Sequence, residues 1–262
     1  MGYVRIDDLR IAYDDVGAGP PLLLVHGYPF NRSLWTDQVA ALSKSHRAIT
    51  PDLRGFGDSE SSSGVATMTR MAEDLVALMD ALGIPTATFG GLSMGGYVVL
   101  AFCKRFPARV DGLVLADTRS QADTEEAKQV RSQQAHQVLR SGMAGITDAM
   151  LPKLLTSETV SKRPDVVKRV RDMMLKTKPE GAAAALMGMA AREDLTDLLP
   201  QISVPALVVV GREDPITPVH DSEKMHEKIP GSRLVVIENA SHVSNIEQAD
   251  EFNTALRAFL NV

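Results

Sequence analysis

Six short, mostly apolar runs with helix-length stretches between them constrain the fold of this chain more than any other feature. They are Leu22-Leu23-Leu24-Val25, Arg47-Ala48-Ile49-Thr50, Thr86-Ala87-Thr88-Phe89, Leu113-Val114-Leu115-Ala116, Ala206-Leu207-Val208-Val209-Val210 and Leu234-Val235-Val236-Ile237. Such runs suit strands buried on both faces, which is the situation of a parallel sheet covered by helices. Helical patterns at Met68 to Leu82 and Tyr97 to Phe106 fall between them, so the alternation predicts a doubly wound α/β architecture. Ahead of the first run, Tyr3 to Val16 alternates polar and apolar residues around Asp7-Asp8, the pattern of an antiparallel hairpin at one edge of the sheet.

One interval breaks the rhythm. From Ser120 to Ala191 no strand signal occurs, only amphipathic helical pattern punctuated by Gly142, Gly145, Pro152, Pro164, Pro179 and Gly181. We expect a four-helix cap over residues 120–191, inserted into a core made of residues 1–119 and 192–262. A chain of 262 residues that is 44% hydrophobic suits one such domain with an insertion better than two full domains. The cap methionines, Met143, Met150, Met173, Met174, Met187 and Met189, suit either ordinary core or an adaptable apolar pocket.

Charge and cysteine content narrow the function classes. Lysine and arginine total 28 against 33 acids, with no long run of either sign, so nothing here is built to neutralise a phosphate backbone and nucleic acid is not an expected partner. The charged start has no apolar run of signal-peptide or membrane-span length, and a cytoplasmic chain with no membrane partner is expected. Cys103 is the single cysteine; it lies in an apolar run and reads as a buried, inert thiol. No metal or cofactor is expected, and the sequence is silent on oligomeric state.

The chemistry is carried by Gly91-Leu92-Ser93-Met94-Gly95, which follows an apolar strand and opens an apolar helical run. A G-x-S-x-G motif in that strand-turn-helix context presents a serine hydroxyl on a sharp, strained turn, and Gly91 and Gly95 are the elbow glycines that let the turn close. A serine becomes a useful nucleophile only when a base removes its proton and an acid orients that base, with the order serine, acid, histidine along the chain. Asp214 follows the strand Ala206 to Val210, and His242 follows Leu234 to Ile237, each just past a carboxyl strand end, where open parallel sheets place their sites. Ser93, Asp214 and His242 are therefore the candidate triad. Asp117, at the end of the strand Leu113 to Ala116, is the rival acid; Glu213 reads as solvated surface.

Acyl transfer also needs backbone N–H groups aimed at the developing oxyanion, one after the nucleophile and one from an early loop. Met94 and Tyr28 are assigned to those places, with Gly27 allowing the close approach. His26 precedes the serine and reads as a residue that pins this loop. His46, His136, His220 and His226 read as surface residues.

Taken together, His26-Gly27-Tyr28-Pro29, Asp52-Leu53-Arg54-Gly55-Phe56-Gly57-Asp58-Ser59, Gly91-Leu92-Ser93-Met94-Gly95-Gly96 and Ser241-His242 resemble the capped α/β-hydrolase carboxylesterases. The segment Leu115 to Thr124 is similar to a bacterial subgroup of short-chain carboxylesterases, more distantly related to 3-oxoadipate enol-lactone hydrolases and cofactor-free haloperoxidases. The resemblance runs from about residue 9 to the end. It implies an α/β-hydrolase fold and a small-molecule ester substrate, with lactone hydrolysis, or a ligand sensor on the same fold, as alternatives. Relatives that open epoxides or remove halide carry aspartate at the elbow, and Ser93 argues against both. Ser241 departs from the commoner glycine, which is expected to affect the histidine loop mildly.

Overall fold

The computed structural model describes residues 1–7, 9–61 and 63–262. Its strands are β1 (Gly2–Ile6), β2 (Leu9–Val16), β3 (Pro21–Val25), β4 (Arg47–Pro51), β5 (Ala87–Leu92), β6 (Val110–Ala116), β7 (Ala206–Gly211) and β8 (Arg233–Ile237). They form one sheet in the order β1-β2-β4-β3-β5-β6-β7-β8. β1, β2 and β4 pair antiparallel, and every pairing from β4 through β8 is parallel. The expected edge hairpin and parallel sheet are both present; Asp7 adopts a left-handed φ of 52° after β1, whereas Asp8 lies outside the described residues.

Successive strand residues point to opposite faces, so each strand feeds two cores. Leu23, Val25, Ile49, Phe89, Leu113, Leu115 and Val208 join one buried cluster, and their neighbours Leu22, Leu24, Val114, Leu207 and Val209 join the other. Burial on both sides explains why these runs carry no polar alternation.

The helices are α1 (Thr36–Leu42), α2 (Met68–Ala81), α3 (Met94–Arg105), α4 (Glu125–Ser141), α5 (Ala144–Leu154), α6 (Ser157–Lys162), α7 (Pro164–Leu175), α8 (Pro179–Ala190), α9 (Val219–Lys228), α10 (Ser244–Glu247) and α11 (Ala249–Leu260). Within residues 120–191 the chain therefore forms five α-helices rather than four. The extra one, α6, is short. Thr156 caps its start by accepting the Thr159 N–H at 3.1 Å, and Pro164 at the start of α7 enforces the break that follows. Six residues leave too little apolar periodicity to read.

This helical insertion is fastened to the core on two sides. On one, Thr177 Oγ1 donates to Pro29 O at 2.7 Å and the Ala66 N–H donates to Ala184 O at 3.1 Å. On the other, the Val243 N–H reaches Leu154 O at 3.3 Å. Among the insertion's methionines, Met143 and Met189 pack in one core cluster and Met173 and Met174 in the other. Among the described residues no helix is long and apolar enough to cross a membrane.

Candidate active site

β5 runs through Gly90, Gly91 and Leu92, further than its composition suggested, because those glycines pair with β3 on one side and β6 on the other. α3 starts at Met94, leaving Ser93 alone between strand and helix. Its backbone (φ 54°, ψ −115°) is a conformation that L residues seldom hold. The surroundings over-determine it: the Ser93 N–H donates to Ala116 O at 2.9 Å, and Thr118 Oγ1 donates to Ser93 O at 2.8 Å. A Cβ on Gly91 would collide with the backbone of Gly95, and one on Gly95 would collide with the backbone carbonyls of Val25, at the end of β3, and of His26 just after it. The two elbow glycines are therefore required by close approach.

The structure brings the three predicted side chains together. His242 Nε2 lies 2.8 Å from Ser93 Oγ, and His242 Nδ1 lies 2.8 Å from Asp214 Oδ2. All three residues are buried. Asp214 is fixed by its own loop: Oδ1 accepts the N–H groups of Ile216 (2.7 Å) and Thr217 (3.0 Å), and Oδ2 accepts the Thr217 hydroxyl at 2.6 Å. Burial opposes charge on Asp214, but His242 and these donors outweigh it and hold the carboxyl below its usual range. Burial likewise opposes the imidazolium of His242; the Asp214 carboxylate outweighs that as well, and the net effect raises the His242 pKa.

Near the serine, the loop after β3 presses on the elbow. A Cβ on Gly27 would sit 2.9 Å from Leu92 O and 3.2 Å from Ser93 Cβ. Among the described residues, the backbone N–H groups of Tyr28 and Met94 donate to no protein acceptor, the condition an oxyanion site requires. His26 does pin this loop: Nδ1 lies 2.9 Å from Gly27 O while Nε2 accepts the Leu53 N–H at 3.0 Å. That pattern needs the neutral ring, and burial, the leading cause, lowers the His26 pKa accordingly.

A model of the family described as alpha/beta hydrolase fold matches residues 20–249. The chain belongs to that family. It is 32% identical over 255 residues to 3-oxoadipate enol-lactonase 2 of Acinetobacter baylyi, covering 97% of this chain and 94% of that protein. The structure of a thermophilic esterase from Thermogutta terrifontis with malate bound is 45% identical with a TM-score of 0.95, covering 97% and 93% of the two chains. That of the enol-lactonase from Burkholderia xenovorans LB400 is 33% identical with a TM-score of 0.93 and covers 100% of both.

Within this α/β-hydrolase frame, Asp117 is buried and, among the described residues, makes no hydrogen bond to His242. Its Oδ1 accepts the Gly211 N–H at 2.8 Å and its Oδ2 the Ser244 hydroxyl at 2.6 Å, so it brackets the acid loop to the histidine loop. Burial first, and the Asp214 charge second, push its pKa upward. Glu213 is exposed, as expected; His46 is buried rather than on the surface, with Nδ1 3.1 Å from Ser45 Oγ. Cys103 is buried, and burial pushes its thiol up to about 11.

Two supporting roles escaped the sequence. The segment Asp52 to Ser59 is a scaffold for the Tyr28 loop: Asp52 pairs with Arg32, Arg54 makes a two-pronged pair with Asp74 at 2.5 and 2.6 Å, and the Phe56 ring meets His26 and Tyr28 edge-on. Glu247, five residues after His242, is the second. One carboxylate oxygen accepts the Ser241 N–H at 2.6 Å; the other accepts the Thr156 N–H at 2.8 Å and the Thr156 hydroxyl at 3.1 Å. Ser241 adds a hydroxyl bond to Lys153 O at 3.1 Å, so the residue that departs from glycine helps tie the histidine loop to the insertion. The signal for Glu247 is an acid amid residues that are all buried, a placement the sequence shows only as a spacing.

Proposed function

We propose that this chain is a serine-dependent carboxylic ester hydrolase acting through an acyl-enzyme. The observation that carries this is the unbroken Ser93–His242–Asp214 chain, with 2.8 Å at each link. Ser93 Oγ attacks the ester carbonyl as His242 Nε2 takes its proton, and Asp214 holds the tautomer with hydrogen on Nδ1 and stabilises the imidazolium that forms. The N–H groups of Met94 and Tyr28 receive the oxyanion. His242 then protonates the departing alcohol, and water, activated by the same imidazole, releases the acid. The amphipathic helical insertion, with its apolar faces packed inward, favours a short acyl chain.

A lactone or enol-lactone hydrolase is the second reading, and the 32% identity to an enol-lactonase favours giving it weight. It uses the same triad on a cyclic ester, so pocket contacts alone separate the two. A sensor on the same fold has no physical need for an aligned triad. The test is to compare kcat/KM on linear methyl esters of two to eight acyl carbons with that on five- and six-membered lactones. Rates highest on short linear esters support the first reading, and a lactone preferred by tenfold or more supports the second. A folded protein inactive on both sets would contradict both.

A further inference from the structure

The loop after β7 reads Asp214-Pro215-Ile216-Thr217-Pro218, and α9 follows at once with Val219. A proline on either side narrows the backbone choices of Ile216 and Thr217. The chain turns back on itself there, and the N–H groups of both residues bond Asp214 Oδ1, at 2.7 and 3.0 Å. Thr217 is fully buried, so solvent does not supply its hydroxyl with a partner.

That hydroxyl goes to the other carboxylate oxygen. Thr217 Oγ1 lies 2.6 Å from Asp214 Oδ2 and 3.4 Å from His242 Nδ1. His242 Nδ1 reaches the same Oδ2 at 2.8 Å. An ionised carboxylate only accepts, so the hydroxyl proton is directed at Oδ2. The backbone therefore holds one oxygen of Asp214, while the oxygen that serves the histidine is divided between an imidazole and a hydroxyl. Each donor draws off part of the charge on that oxygen and favours the ionised acid. Against the burial that opposes its charge, and behind His242 itself, the Thr217 hydroxyl and N–H help hold Asp214 below its usual range.

We propose that Thr217 is a positioning residue of the triad: its hydroxyl locks the Asp214 carboxylate in line with the imidazole and restrains the pull of that carboxylate on the proton of His242. A base that must take a proton and return it within one turnover is hindered if its charged form is held too strongly. The position thus calls for a hydroxyl, where a methyl of the same shape would fill the space equally well. Among the described residues, Asp117 and Arg119, from the segment after β6, also bear on the ring; Glu247, on α10, faces the Ser241 N–H. All three stay in place in the variants below, so a difference between those variants belongs to Thr217.

This inference rests on the serine-hydrolase reading, and the experiment separates the two. We would measure kcat and KM for p-nitrophenyl acetate across the acid limb of the pH profile in the wild type, Thr217→Val, Thr217→Ala and Thr217→Ser, after checking each variant by thermal melting. Thr217→Val takes one donor from Oδ2, which leaves the carboxylate a stronger partner for the imidazolium. The midpoint of the acid limb should rise by about half a unit to one unit, and kcat above it should fall roughly three- to tenfold with KM little changed. Thr217→Ala should shift the midpoint in the same direction and stands in if Thr217→Val does not fold. Thr217→Ser keeps the hydroxyl and should return both quantities most of the way. A midpoint that stays put or falls in the variants lacking the hydroxyl, or a Thr217→Ser variant that behaves like them, would overturn the role of Thr217 while leaving the hydrolase. If the wild type cleaves no ester, the hydrolase reading fails, and titration of the His242 ring by proton NMR in the same proteins decides the inference alone. A ring midpoint raised without the hydroxyl and restored by serine supports it, and an unmoved midpoint overturns it.

Discussion

Replacing Glu247 by Gln tests whether the histidine is positioned by the insertion as well as by its own loop. The carboxylate is buried, and both oxygens face N–H donors, Ser241 on one side and Thr156 on the other. An amide carries one oxygen. Turned toward Thr156, it sets its NH₂ against the Ser241 N–H; turned toward Ser241, it orphans the Thr156 donors. Either way a charge-assisted bond worth about 1.5–3 kcal/mol is lost and a buried donor is left unpaired, so we expect about 3 kcal/mol of destabilisation. For a chain of this length that corresponds to a fall of roughly 6 °C in Tm. Ser241 immediately precedes His242, so the imidazole shifts with it; a displacement approaching 1 Å costs on the order of a hundredfold in rate, and kcat should fall with little change in KM. Thermal melting by circular dichroism and p-nitrophenyl acetate kinetics read the two effects. A Tm within about 1 °C of wild type with kcat unchanged would refute the reasoning.

Asp214→Asn should lower kcat/KM by about 10⁴-fold, as expected when the orienting acid of a serine triad is lost, whereas Asp117→Asn, which retains an oxygen for Gly211 N–H, should lose less than about tenfold; the reverse ranking would make Asp117 the working acid. His242 must be neutral to act as base and its folded pKa is raised, so kcat/KM should fall as pH drops through a midpoint above 6.5, and a midpoint below 6.5 would contradict the assignment. Gly95→Ala drives a methyl into the carbonyls of Val25 and His26, so it should unfold or cripple the elbow, with purified, folded variant of normal activity as the opposing result.

Much of this was legible because strands buried on both faces leave continuous apolar runs. All six fell on strands, and the residues just past β5, β7 and β8 fell in one site, since parallel strands deliver their carboxyl ends to the same edge. The serine stood out through its glycines, whose absence of Cβ is a backbone requirement visible in composition. What stayed hidden depends on contacts between distant segments. Nothing local to Glu247 shows that Thr156, 91 residues earlier, will meet it. Choosing between Asp117 and Asp214 required the geometry at His242, because both acids follow parallel strands. α6 was missed because six residues held by a cap and a following proline display no period. His46 looked like surface because polar neighbours in sequence say little about which side of a turn packs inward.

The most direct test of the central claim is hydrolysis of p-nitrophenyl acetate by wild type and Ser93→Ala, with fluorophosphonate labelling of the same preparations followed by peptide mapping. The account predicts turnover and a single label on Ser93 in the wild type, and loss of both in the variant, with activity down by several orders of magnitude. Undiminished turnover in folded Ser93→Ala, or a label on any other residue, would contradict it.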